Sequence, residues 1–339
     1  MSLTAYEEKI LKSIVVASEN DPNRPEFPPS KPKFPATPTY LISVPGFTDV
    51  WLKDESVNPT GTHKDRMAWE IVVTYRDFLL AKKRGRLKGD LPHMSLISSG
   101  SAAIAIQTML NTYTLPALKV LVSDDMPTKT ITELKNLGCD VHITDLNKKA
   151  FKWEEILSLT QNPEGIDVTS DQSLGPTTRF YDWMSYEIIN NSPDYCFVPF
   201  GTGHLYENIL NVNKKEMESG KHDPRFSGDV QTLRTCNFMG ATTTNPKSKA
   251  AMLYSPHLPF AHFSRQWIVS YKMAGYCGSK SDVYAVDERY FKQAMQLAHE
   301  QNIACDESGI AGLALMLQMS PKLPKDKKML IVNTGKAKS

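Results

Sequence analysis

Asn58-Pro59-Thr60-Gly61-Thr62-His63-Lys64-Asp65-Arg66 is the stretch of sequence that decides the fold. Proline fixes its own φ angle and glycine accepts positive φ, so the Pro-Thr-Gly segment predicts a turn. Lys64 follows this turn at the start of a predicted helix. A lysine in that position is usually a solvated charge, so the rest of the chain must show whether Lys64 holds a cofactor.

Together with the preceding Trp51-Leu52-Lys53-Asp54-Glu55, this stretch resembles the lysine motif of the pyridoxal-phosphate enzymes of fold type II. That group, the tryptophan synthase β-like superfamily, contains threonine synthase, serine/threonine dehydratases, cysteine synthase and the tryptophan synthase β chain. The resemblance implies that Lys64 is the catalytic lysine, which binds the aldehyde of pyridoxal 5'-phosphate. His63 before Lys64 is similar to the tryptophan synthase β chain, whereas Lys64-Asp65-Arg66 is closer to threonine synthase.

Length and composition narrow the class of protein. A chain of 339 residues is longer than one hydrophobic core usually supports, which predicts two domains. The 39 basic and 37 acidic residues nearly cancel, so no bulk field attracts nucleic acid or an anionic membrane, and neither partner is predicted. No apolar run reaches the roughly 18 residues of a membrane span. The five cysteines include no Cys-x-x-Cys pair, which favours the reducing cytoplasm and predicts no metal site.

The order of strands and helices predicts parallel βαβ units. Helical spacing covers residues 5–17, and seven prolines in 22–38 indicate an extended arm. From His93 onward, strands alternate with helices. The predicted strands are 94–98, 119–123, 141–144, 195–200, 283–286, 303–305 and 329–332. The predicted helices between them include 102–110, 128–137 and a helix capped by Asp287. Residues 213–229 are polar and are predicted to be a surface excursion.

We therefore predict an α/β fold with two lobes, each a mostly parallel sheet flanked by helices. The resemblance implies that the cofactor lies in the interlobe cleft. We predict that residues 1–57 are an N-terminal helix and proline-rich arm joining the large domain. Residues 58–165 are the predicted small domain, and 166–339 the large domain that binds pyridoxal phosphate.

Gly201-Thr202-Gly203-His204-Leu205 is the candidate site for the cofactor phosphate. A glycine turn between an apolar strand and a helix lets backbone N–H groups approach a dianion closely. An isolated Gly-x-Gly turn is often only a tight connection, so its place downstream of Lys64 carries the argument. The family commonly has a small residue at the fourth position, where this chain has His204.

Ser98-Ser99-Gly100-Ser101 resembles the Ser-Ser-Gly-Asn loop that holds the substrate carboxylate in the family. The resemblance implies that Ser98, Ser99, Gly100 and Ser101, together with Thr62, bind substrate. The family asparagine usually contacts the cofactor 3-hydroxyl, so Ser101 also becomes a cofactor-binding candidate, with a shorter side chain. Alternatively, these serines only cap a helix.

Thr334 in Asn333-Thr334-Gly335 resembles the family residue whose hydroxyl faces the pyridine nitrogen. A hydroxyl does not hold that nitrogen protonated, which favours elimination and replacement over transamination. Read as structure alone, Thr334-Gly335 is a turn after the last strand. Asp306-Glu307-Ser308-Gly309 also resembles a family segment, which places Glu307 and Ser308 near the site.

The resemblance implies a pyridoxal-phosphate-dependent carbon-oxygen lyase of the threonine synthase type. Such an enzyme acts on a small amino acid by β- or γ-elimination or replacement, and the family expectation is a homodimer. Threonine synthase also holds a substrate phosphate, for which Arg66, Lys53 and Lys129 are candidates. One alternative is a serine/threonine ammonia-lyase or a cysteine synthase-type β-replacement enzyme. The other, motivated by Ser101 and His204, is a cofactor-binding homologue without catalysis.

Overall fold

The computed structural model describes residues 3–19, 34–146, 148–169, 177–254 and 265–336. The chain divides into two compact units. The first unit comprises Met1–Pro35 and Lys64–Phe180, and the second unit comprises Ala36–His63 and Tyr181–Ser339. This grouping places the N-terminal helix in the first unit, whereas the sequence predicted that residues 1–57 join the large domain.

Strands and helices alternate through most of the described residues. The strands are β1 Thr39–Leu41, β2 Val50–Asp54, β3 Met94–Ile97, β4 Lys119–Ser123, β5 Asp140–Thr144, β6 Ile166–Asp167, β7 Tyr195–Pro199, β8 Asn237–Thr242, β9 Asp282–Ala285 and β10 Met329–Asn333. The α-helices are α1 Ala5–Glu19, α2 Lys64–Lys83, α3 Ser101–Thr112, α4 Thr128–Leu137, α5 Trp153–Leu159, α6 Asp182–Ile189, α7 His204–Glu218, α8 Val230–Thr235, α9 Arg265–Met273, α10 Glu288–Glu300 and α11 Ala311–Met319.

The first unit contains a four-stranded parallel sheet in the order β5-β4-β3-β6. The predicted bounds of β4 and α4 agree with the structure, because the apolar run of β4 is buried and a glycine ends α4. Gly138 adopts φ 102°, a left-handed conformation that few other residues accept. Helices α2 and α3 pack against each other in the same unit.

The second unit contains a six-stranded sheet in the order β1-β2-β10-β7-β8-β9. Only the pairing of β1 with β2 is antiparallel among these strands. Helix α11 packs on β7, β8 and β10, and a Cβ at Gly312 would lie 2.6 Å from the Phe197 carbonyl oxygen. The predicted α/β architecture of parallel sheets flanked by helices is therefore confirmed.

Two local predictions are wrong. Residues 303–305 form no strand; Ile303 and Cys305 are apolar because they are buried in the core of the second unit. The polar stretch from residue 213 is not a surface excursion at its start, because α7 continues to Glu218. Asn213 and Glu216 are fully buried there, and they bond the Tyr276 carbonyl at 2.6 Å and the Tyr186 hydroxyl at 2.7 Å, respectively.

None of the helices in the described ranges combines the length and apolar character that crossing a bilayer requires. The same ranges contain no group of three or more His, Cys, Asp or Glu side chains placed to share a metal ion.

A buried ion pair joins α1 to α2 within the first unit. Lys82 Nζ lies 2.5 Å from Glu7 Oε1, and both side chains are about nine-tenths buried or more. Burial raises the pKa of the Glu7 carboxyl, but hydrogen bonds from Lys82 and Thr4 outweigh it and leave this pKa below its ordinary value of 4.5. This pair explains why α1 groups with the first unit.

We expect Lys82→Met to detach α1, because the carboxylate of Glu7 loses its cation while remaining out of water. The cost should be about 2 kcal/mol, between the values for exposed and fully buried pairs. Hydrogen exchange of the α1 amides measures this loss directly.

Lys83→Met is the matched control, because Lys83 is the exposed neighbour of Lys82. Since the folded pKa of Glu7 is lowered, the pair stabilises fully above pH 4.5, and the contribution disappears as pH falls through the folded pKa. A difference between Lys82→Met and wild type that persists unchanged well below that pKa would contradict this account.

All five cysteines are free and buried. Burial raises the pKa of each thiol, to about 12 for Cys139 and Cys305. The thiolate is the nucleophile, and these thiols are buried and protonated at neutral pH. We therefore expect the folded protein to react with a thiol-specific disulfide reagent only at the rate of the unfolding that exposes each cysteine. Rapid labelling of any cysteine without loss of structure would show that this cysteine is accessible.

Candidate functional site

The glycine turn after β7 lies entirely in the second unit and opens α7 at His204. Gly203 is the N-cap residue with φ 91°, and no side chain caps the first turn. A Cβ at Gly201 would lie 2.7 Å from the Met252 carbonyl oxygen. The turn therefore needs glycine at both positions, and the helix N-terminus carries the partial positive charge that suits a phosphate.

The other residues of this turn differ in exposure. Thr202 is exposed, and its hydroxyl oxygen lies 3.4 Å from His204 Nδ1. Leu205 is 6% exposed and anchors the first turn of α7 in the core. The His204 imidazole thus lies at the helix start, where the family commonly has a smaller side chain.

Thr334 is held between two other segments of the second unit. Its N–H donates to the Gly309 carbonyl at 3.0 Å, and its own carbonyl accepts from His63 N–H at 3.1 Å. The Asp306 carboxylate in turn accepts from Gly309 N–H at 2.7 Å, and burial, with the charge of Glu307, raises the pKa of Asp306. The Asp306–Gly309 segment therefore contacts the residue predicted to face the pyridine nitrogen.

Three backbone segments meet at glycines. Gly335 has φ 87°, and a Cβ there would lie 2.1 Å from the Gly61 carbonyl oxygen. A Cβ at Gly309 would lie 2.1 Å from the Gly335 carbonyl oxygen. Thr62 and Gly335 form an antiparallel bridge, and Lys336 N–H donates to the Gly61 carbonyl at 2.9 Å. This close approach joins the turn before Lys64 to the segment that carries Thr334.

Lys64 is the first residue of α2 and follows His63 directly. Its side chain is half-buried, whereas Asp65 and Arg66 are buried within the first unit. The Arg66 guanidinium lies 5.2 Å from the centroid of the Phe34 ring. The hydrogen bonds of His63 and Thr62 therefore fix the chain immediately before Lys64.

The serine loop lies in the first unit, between β3 and α3. The Ser98 hydroxyl accepts from Gly100 N–H at 3.0 Å and from Ala103 N–H at 3.3 Å, so Ser98 caps the start of α3. Ser99 is exposed and Ser101 is half-buried at the start of α3. Gly100 has φ 126°, which favours glycine.

Three candidate segments follow the carboxyl ends of neighbouring parallel strands, β2, β10 and β7. They are the turn before Lys64, the segment with Thr334, and the glycine turn at Gly201 to Gly203. In open α/β sheets ligands bind beyond the carboxyl ends of the strands. The uncapped helix start and the glycines without room for a Cβ fit a phosphorylated cofactor at this edge.

Sequence reasoning missed the polar residues that support this edge. The Asn333 side chain accepts from Gly335 N–H at 3.0 Å and donates to Asp54 Oδ1 at 2.9 Å. Tyr40 also donates to Asp54, at 2.9 Å. The available signal was the change from apolar to polar residues at the ends of β2 and β10.

We expect Gly309→Ala to separate the segments, because a methyl group cannot fit 2.1 Å from a backbone oxygen. Overpacking of this kind costs about 3 kcal/mol at its upper end. Gly220→Ala is the matched control, since a Cβ there meets nothing within 4 Å. Thermal unfolding should show a large loss for the first variant and little change for the second; equal melting temperatures would contradict the close approach.

Comparisons with known proteins identify the family of this chain. The family model described as "Pyridoxal-phosphate dependent enzyme" matches residues 33–335. A search of curated protein sequences finds no match.

Solved structures share the fold at low sequence identity. An O-ureido-L-serine synthase has a TM-score of 0.64 at 18% identity, covering 88% of this chain and 89% of that one. A pyridoxal 5'-phosphate-dependent aspartate racemase has 0.62 at 14%, covering 99% and 97%. The processed form of threonine deaminase isoform 2 from Solanum lycopersicum has 0.57 at 14%, covering 100% and 91%. The chain belongs to the fold type II family of pyridoxal-phosphate dependent enzymes.

Proposed function

We propose that this protein catalyses β- or γ-elimination or replacement on a small amino acid. The observation that carries this proposal is the place of Thr334 beside the turn that leads into Lys64. A hydroxyl residue in the role of partner to the cofactor ring nitrogen favours loss of a substituent over transamination. The family resemblance also supports a homodimer, and the five free cysteines support a reducing cytoplasm.

Bound pyridoxal phosphate would supply an aldehyde for amino groups and a ring that withdraws electrons from Cα. In the proposed mechanism, the Lys64 amine would hold the cofactor, and as a free amine it would serve as the base for the Cα proton of the substrate. The N-terminus of α7 would hold the cofactor phosphate through the backbone of Gly201 to Leu205. The loop Ser98 to Ser101 and Thr62 would bind the substrate carboxylate, and Ser101 would also bind the cofactor.

A substrate that carries a phosphate group would need a second anion site besides the one for the cofactor phosphate. Lys53, one candidate, is 1% exposed and pairs with Glu187 inside the second unit, so it is committed to the protein interior. Arg66 is equally buried, while Lys129 is exposed. This observation weighs against the threonine synthase type and favours the second candidate, an ammonia-lyase or β-replacement enzyme whose substrate carries no phosphate.

The spectrum of the cofactor-loaded protein tests the proposal. We expect an absorbance band at about 410 nm, typical of a lysine-bound cofactor. Lys64→Ala should lose this band, whereas Lys83→Ala, at an exposed lysine, should keep it. Amino acids added singly, including a phosphorylated γ-hydroxy amino acid, should perturb the band and release keto acid, ammonia or phosphate if they react.

The products then separate the candidates. Phosphate release supports the threonine synthase type, and ammonia with keto acid supports the lyase. A band that no amino acid perturbs would contradict catalysis and favour a cofactor-binding homologue. A protein without any band would contradict the proposed function altogether.

A further inference from the structure

Buried polar side chains gather at the carboxyl end of β2, on the side of the turn before Lys64. Lys53 is 1% exposed, Glu55 is fully buried and Asn58 is 3% exposed. Charged residues are almost never fully buried unless they are paired, because taking a charge out of water is costly. A cluster of this kind therefore needs a structural or functional reason.

In this cluster one ammonium group lies close to two carboxylates. Lys53 Nζ donates to the Thr37 carbonyl at 2.6 Å and to the Glu187 carboxylate. Glu55 Oε1 accepts from the Thr37 hydroxyl at 2.5 Å and lies 3.9 Å from Lys53 Nζ. Thr37 and Lys53 thus both lie next to the Oε1 atom of Glu55. All of these residues belong to the second unit.

Asn58 connects the buried charges to the backbone before Lys64. Its amide nitrogen donates to Glu55 Oε2 at 2.7 Å and to the Thr62 carbonyl at 3.0 Å. Its own carbonyl accepts from Gly61 N–H at 2.9 Å. A hydrogen bond to a carboxylate is stronger than one between neutral groups, so Glu55 orients this amide firmly.

The opposite side of the same turn is held by the C-terminal segment. Thr62 forms the bridge with Gly335, and His63 N–H donates to Thr334. The Lys64 Cα lies about 3.8 Å beyond that of His63, one trans peptide further. A shift of the turn would therefore shift the start of the Lys64 side chain by a comparable amount.

We propose that Asn58, oriented by Glu55 and Lys53, is a positioning residue that sets where the Lys64 amine meets the cofactor aldehyde. This inference rests on the proposed role of Lys64. When Lys64 binds the cofactor, its amine nitrogen would form a C=N bond with the aldehyde carbon, and the aldehyde oxygen would leave as water. We expect phosphate binding at the start of α7 to be independent of Asn58, because the two belong to different loops of the second unit.

Two ligands distinguish a positioning role of Asn58 from a general loss of structure. Pyridoxal phosphate reports C=N formation through its absorbance in rapid mixing, whereas pyridoxine 5'-phosphate has no aldehyde and reports noncovalent binding alone. Asn58→Ala should slow C=N formation at least about tenfold, the effect expected from losing a charge-assisted hydrogen bond. Its Kd for pyridoxine 5'-phosphate should stay within about twofold of wild type, because its phosphate contacts remain.

A second variant and a control complete the test. Glu55→Gln keeps the shape and an acceptor for Asn58 but removes the charge, so it should slow C=N formation less than Asn58→Ala does. Asn245→Ala, at an exposed asparagine of the same unit, should behave as wild type. If Asn58→Ala fails to fold, the rate of C=N formation in Glu55→Gln decides whether the positioning role holds.

The outcomes are distinct. C=N formation at the wild-type rate in Asn58→Ala, or in Glu55→Gln where it decides, overturns the positioning role. An equal loss of affinity for both ligands overturns it as well, since that indicates a purely structural role. If wild-type protein binds pyridoxine 5'-phosphate but never forms the C=N bond, the proposed function fails, and the inference fails with it.

Discussion

The contact between two backbone turns, at Gly61 and Gly335, is the constraint on which the candidate site depends. The chain before Lys64 and the chain around Thr334 leave neighbouring parallel strands and then bond to each other through a short antiparallel bridge. A side chain at Gly335 would not fit. The hydrogen bonds of this contact are made by backbone groups, so they do not change with side-chain rotamers.

The buried polar residues behind these turns extend the same constraint. On one face, Lys53 and Glu55 hold Asn58; on the other, Asp54 holds Asn333. Alternation along β2 places Lys53 and Asp54 on opposite faces of the sheet, so one strand end supports both turns. A polar group left unpaired in either cluster would be costly, which makes each arrangement specific.

Much of the fold follows from the sequence, because its signals are local. The strands β4 and β10 are apolar runs, and Gly138 ends α4 where a left-handed residue is needed. Residues 303–305 were wrongly predicted to be a strand, because residues packed in a core give the same apolar signal as a buried strand. The buried face of α7 was missed because Asn213 and Glu216 look like surface residues until their partners, distant in sequence, are known.

The candidate site was only partly predictable for the same reason. The sequence motifs predicted which segments form the candidate site. The close approach of Gly61, Gly309 and Gly335 was not predicted, because it depends on contacts between residues far apart in the chain. The most direct measurement is borohydride reduction of the cofactor-loaded protein followed by peptide mapping. The account predicts that the reduced cofactor is attached to Lys64 and to no other lysine. A label on a different lysine, or a loaded protein that carries no label, would contradict it.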